Sequence, residues 1–158
     1  MNELFPTREE LLVELRDEVT EVARTGGGTC PACDQHVQQY RRTINKGMVA
    51  GLLKLYRAAG THRFVHLPTV VGRKSSEESK LAYWNLIAEE RVERPDGGRA
   101  GHWGVTQRGH HFLVGTLTVP KFAVVYNGQL LRLEGDPVSV QDCWRAPFDL
   151  YQLLKDSQ

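Results

Sequence analysis

The chain has 158 residues, 41% of them hydrophobic and 25% charged, enough for one globular domain with a core; a multidomain machine, a collagen-like fibre and a disordered chain are excluded. Its 20 Lys and Arg against 19 Asp and Glu leave a formal net charge of +1, so any attraction for nucleic acid has to be local. No run reaches the roughly 20 apolar residues of a membrane-spanning helix, and the opening MNELFPTREE lacks the regions of a signal peptide, so a cytoplasmic protein without a membrane role is expected.

Charge is laid out in blocks. Residues 1–25 carry three basic and seven acidic side chains, whereas 37–80 carry nine basic residues against Glu77 and Glu78. In the first block, Leu11, Leu12, Leu15, Val19 and Val22 mark one face of an amphipathic helix, and Thr7 with Glu10 makes a capping box at its start. Gly26 to Gly28 end this helix in a hinge. After Cys30-Pro31-Ala32-Cys33 a second helical stretch is predicted from about Asp34, with Met48, Leu52, Leu55 and Tyr56 as its apolar stripe and Gly60 as its end. Residues 63–67 suit a short strand closed by Pro68, and 76–90 read as a helix with Leu81, Trp84, Ile87 and Ala88 on one side. On that helix the exposed positions would include Glu77, Glu78, Lys80 and Asn85. Two glutamates in a first turn suit the helix dipole and repel a phosphate backbone.

Two arms, 90–94 and 102–106, around a glycine-rich tip then predict a β-hairpin, and Thr106 caps a short helix through Leu113. Asn127-Gly128 between Phe122–Tyr126 and Gln129–Leu133 is the strongest local signal, because both residues of a type I′ turn need positive φ. Phe148, Leu150, Tyr151 and Leu154 mark a closing helix. Three segments are thus expected: a helix and hinge over 1–29, a Cys-x-x-Cys knuckle and helical body over 30–115, and a hairpin with closing helix over 116–158.

From about Asn45 to Gly115, the succession of helix, strand, helix, hairpin and small helix follows the winged-helix plan. Trp84 to Arg94, then Asp96-Gly97-Gly98-Arg99, then Val105-Thr106-Gln107-Arg108-Gly109 through Leu113 resembles the wing region of MarR-like transcriptional regulators. The resemblance implies an α+β winged helix-turn-helix, with 76–90 in the recognition-helix position and Arg99 at the wing tip near a minor groove. Cys30-Pro31-x-Cys33, Tyr40-Arg41-Arg42, Leu81-x-Tyr83-Trp84, Val119-Pro120-Lys121-Phe122 and Tyr126-Asn127-Gly128 together are similar to small bacteriophage and prophage proteins over roughly 30–155. That likeness implies the host cytoplasm as the setting and carries over no catalytic residue.

Cys30 and Cys33 are spaced so that two thiolates in a tight knuckle reach one tetrahedral zinc ion. The other ligands must come from histidines, from Cys143 or from a second subunit. His66, paired in spacing with His62, is the candidate third ligand and His36 the local alternative; a metal-free structural pair or a reversible disulfide is the other outcome. Arg41, Arg42, Arg73, Lys74, Lys80 and Arg99 are the candidate contacts to double-stranded DNA, against the alternative of solvated faces and salt-bridge partners. The large aromatics Trp84, Trp103, Tyr83 and Phe112 are expected in the core, and His110 and His111, about 100° apart on a helix, are not expected to share a ligand. Without a phosphate loop, a nucleophile elbow or paired carboxylates, no enzyme is expected. The expected function is DNA binding and transcription regulation; the alternative is a winged-helix module that binds or inhibits a host protein. The detachable N-terminal helix and the half-complete cysteine set point to a homodimer.

Overall fold

The computed structural model of the chain describes residues 5–72, 77–91, 95 and 101–156. It is a mixed α+β structure with small antiparallel sheets, in two compact units: Met1–Arg42 with Val124–Arg132, and Thr43–Ala123 with Leu133–Gln158. The cysteine turn therefore groups with the N-terminal helix and the hairpin tip.

In the first unit, α1 (Arg8–Arg24) starts at the predicted capping box. The Glu10 amide donates to Thr7 Oγ1 at 3.2 Å and the Thr7 amide to the Glu10 carboxylate at 2.6 Å. Gly26 and Gly27 turn the chain at φ 105° and 103°, and a Cβ on Gly27 would stand 2.7 Å from the Val37 carbonyl oxygen, so this turn needs glycine. Strand β1 (Gly28–Thr29) then pairs antiparallel with β2 (His36–Val37), Gly28 opposite Val37. Ala23, Cys30 and Val37 are buried, with Val19, Val22 and Tyr126 packed on them. The predicted apolar face of α1 is used only at its C-terminal end, and Leu11 and Leu12 stay 50% and 41% exposed.

The second helix does not begin near Asp34. Asp34 takes a φ of 59° and donates its amide to the Cys30 carbonyl, and β2 and β3 (Tyr40–Thr43) occupy the intervening chain. Helix α2 (Lys46–Ala59) starts only where Asn45 accepts from the Met48 amide at 3.1 Å. Its buried face, Met48, Val49, Leu52, Leu53, Leu55 and Ala59, is the centre of the second unit.

After α2 come β4 (Val65–His66) and α3 (Leu67–Val71). Pro68 opens this helix rather than closing a longer strand, since a missing amide costs nothing in a first turn. The helix expected over 76–90 is replaced by a 3₁₀ helix, Glu78–Trp84, followed by β5 (Ile87–Glu89). Asn85 stops it in the left-handed region at φ 58°, and the Leu86 carbonyl that would continue it accepts instead from the Thr106 amide at 3.1 Å. Strand β6 (His102–Val105) returns antiparallel to β5, and the sheet order is β4–β6–β5, with His66 opposite His102 and Ile87 opposite Val105.

Helix α4 (Gln107–Val114) begins at the predicted Thr106 cap. Trp84 and Phe112 are fully buried, as expected of core aromatics, and the Trp84 indole donates to the Pro120 carbonyl at 2.7 Å. The hairpin of β7 (Val119–Tyr126) and β8 (Gln129–Val138) is longer than predicted, and its turn has Asn127 and Gly128 at φ 49° and 74°, as a type I′ turn requires. Strand β3 lies on the other side of β7. Helices α5 (Val140–Trp144) and α6 (Leu150–Lys155) end the second unit.

Candidate functional site

In the β1–β2 turn the Cys30 amide donates to the Gln35 carbonyl at 2.8 Å. The Cys30 thiol is held below its usual pKa, first by the Ala32 amide and then by the Cys33 amide, which favour the thiolate. Cys30 is buried, Cys33 exposed, and both are free. Among the described residues, no three of His, Cys, Asp and Glu gather into a group that could hold a metal ion. Cys30 and Cys33 belong to the first compact unit and His66 to the second. His66 is occupied elsewhere: its Nδ1 is 2.7 Å from Thr69 Oγ1 and its ring 5.5 Å from that of His102. His110 stacks on Tyr56 at 5.3 Å and His111 Nδ1 is 3.3 Å from Thr116 Oγ1, so each has its own neighbour.

The expected DNA contacts fare unequally. Arg41 and Arg42 are exposed on β3, at the margin of the β3–β7–β8 sheet. Lys80 is an ion-pair partner, Nζ 3.0 Å from Glu77 with its side chain 19% exposed. Glu78 is buried against Gly51 of α2 rather than presented to solvent, so its side chain is not on the exposed face where it was expected. Arg57 and Arg63 donate to the carbonyls of Leu153 and Ala58. Arg73, Lys74 and Arg99 lie outside the described residues.

The cations that do converge are others. A cavity of about 490 Å³ at the start of α2 is lined by Lys46, Lys121 and Arg145, from α2, β7 and the C-cap of α5. Lys46 Nζ sits 5.1 Å from the centre of the Trp144 ring, itself edge-on to Phe148. Asp142, the one acid among the described lining residues, accepts from the Ser139 amide and hydroxyl, and these hydrogen bonds, the amide's foremost, hold its carboxyl below the usual range. Burial, and then the Asp142 charge, push the Cys143 thiol up, while Lys121 opposes them. The shift favours the protonated thiol on this wall of the cavity. Lys121 and Arg145 were not legible as site residues, because nothing in their local sequence announces a neighbour far along the chain.

Compared with known protein families, with curated proteins and with solved structures, the chain has no significant match to any.

Proposed function

We propose that the second unit is a winged-helix-type DNA-binding module in a small, non-catalytic regulatory protein of the phage kind. The observation that carries this is connectivity. In chain order α2, β4, α3, the 3₁₀ helix, β5 and β6 resemble the winged-helix succession, and β5 and β6 are the antiparallel pair from which a wing would extend. Lys80 paired to Glu77 and a buried Glu78 leave the 3₁₀ helix poorly equipped to read bases. The proposed contacts are therefore to phosphates and a minor groove, through Arg73, Lys74 and Arg99 of this unit, whereas Arg41 and Arg42 belong to the first unit.

A mobility-shift titration on random duplex tests this. Binding at low salt should weaken steeply as salt rises, and Arg99→Ala should flatten the log–log slope by about one unit. Absent or salt-insensitive binding overturns the reading and favours the alternative of a protein partner, to which the exposed Phe5, Leu11, Leu12 and Val13 give some support.

The proposed partner of α1 is a second copy. Leu12, Leu15, Val19 and Val22 fall at heptad a and d spacing, and only the last two are spent on the chain's own core. Antiparallel pairing of two such helices brings Arg16 beside Glu9 of the other copy, both at e positions, which offsets part of the acidity of this segment. Zinc enters the same proposal as a shared ion, because one chain offers two thiolates where a tetrahedral ion takes four donors. Metal analysis at about one zinc per two chains supports it; no metal, with both thiols freely reactive, removes it.

A further inference from the structure

We propose that the cavity at the start of α2 binds a phosphorylated small molecule of nucleotide size, its phosphate facing Lys46, Lys121 and Arg145. Three cationic side chains from three separate elements line this one concavity, and they raise each other's electrostatic energy as long as nothing negative sits among them. The only acid among the described lining residues is Asp142, an anion held by Ser139, so three positive charges face one negative. The local field is therefore positive in a chain whose net charge is close to neutral.

Two of the cations lie near aromatic rings. The Trp144 ring carries Lys46, and Lys121 Nζ lies 5.5 Å from the Phe122 ring. Arg145 leaves the chain from a left-handed C-cap at φ 61°, a conformation few side-chain-bearing residues adopt. At about 490 Å³ the cavity is far larger than one phosphate and falls within the range of small-molecule sites. Ile44, Val138 and the neutral Cys143 give it apolar walls for the organic part of the ligand. Phosphate is the matching chemistry, because its spread negative charge accepts several charge-assisted hydrogen bonds at once.

The site is independent of the duplex-binding proposal, and its test does not pass through DNA. The full chain is titrated with inorganic phosphate and, separately, with a nucleoside monophosphate at constant ionic strength, followed by ³¹P chemical shift and by thermal midpoint. Saturable binding is expected with both, tighter for the nucleoside monophosphate. Lys121→Gln and Arg145→Gln should each weaken it about tenfold. Lys54→Gln, which removes a charge from the exposed side of α2 outside the cavity, should leave it unchanged. The proposal is overturned by the lack of a saturable response to either probe, or by a loss in Lys54→Gln equal to that in the cavity variants, the mark of diffuse attraction. Equal affinity for the two probes overturns the organic part of the assignment, and a response to duplex alone overturns the small-molecule class.

Discussion

Gly109 shows how much one missing methyl group decides. A Cβ there would overlap the Leu86 carbonyl oxygen and lie 2.8 Å from Val105 Cγ1, and a backbone oxygen already bonded to Thr106 has little room to yield. Gly109→Ala should cost about 2–3 kcal/mol by chemical denaturation, the scale of an overpacked core. Gly51, pressed against the Glu78 side chain, should tolerate alanine better, because a side chain shifts more easily than a backbone. Neither constraint was visible in the sequence, where both glycines sit in unremarkable helical runs. The Thr7–Glu10 box was visible, since its partners are three residues apart. There the Thr7 amide, then its hydroxyl, lowers the Glu10 pKa. A lowered folded pKa means the stabilisation is present above the unfolded value of about 4.3 and is lost as pH falls through the folded one. Helix α1 should fray as the solution is acidified through that window, measured by NMR chemical shift at residues 8–12, and Glu10→Gln should remove this acid step.

Helices α1 and α4 start at the local caps that the sequence shows, whereas α2 starts later than expected, at its Asn45 cap, and the helix ended from outside was misread. Helix α4 starts at its predicted cap and the β7–β8 turn has its predicted geometry, both set by neighbours in sequence. The helix expected over 76–90 failed because Leu86 hydrogen-bonds to Thr106, across a whole hairpin arm. Tertiary pairing there outweighed the periodicity of Leu81, Trp84, Ile87 and Ala88: the first three are buried, but from a 3₁₀ helix and a strand, and Ala88 is exposed. For α1 the prediction concerns association. Leu12→Glu should shift the chain toward monomer in sedimentation equilibrium at micromolar concentration. Glu9→Arg should do the same, and Glu9→Arg with Arg16→Glu should restore the dimer, because the swap rebuilds the same ion pairs in reverse. A wild-type chain that is monomeric throughout the range ends the pairing proposal.

Among the described residues, several cations of the basic block 37–80 are engaged locally. Lys80 is neutralised by Glu77, Arg57 and Arg63 are tied to carbonyls, and Arg41 and Arg42 belong to a different compact unit from Lys46. If duplex binding rests on few phosphates, its salt slope should be shallow, about two to four units, and a slope near ten would require a broader surface than these residues supply. The concentration of positive charge that does form draws Lys121 and Arg145 from outside that block.

Composition, periodicity and local caps were sufficient to establish an α+β chain with an acidic leading helix, a cysteine turn, buried aromatics and a type I′ hairpin, because each depends on contacts within a few residues or on burial alone. The end of the 3₁₀ helix, the burial of Glu78, the tying of Arg57 to Leu153 and the cavity of Lys46, Lys121 and Arg145 could emerge only on folding. Each arises from groups far apart in the chain meeting in space, and no pattern of neighbouring residues records such a meeting.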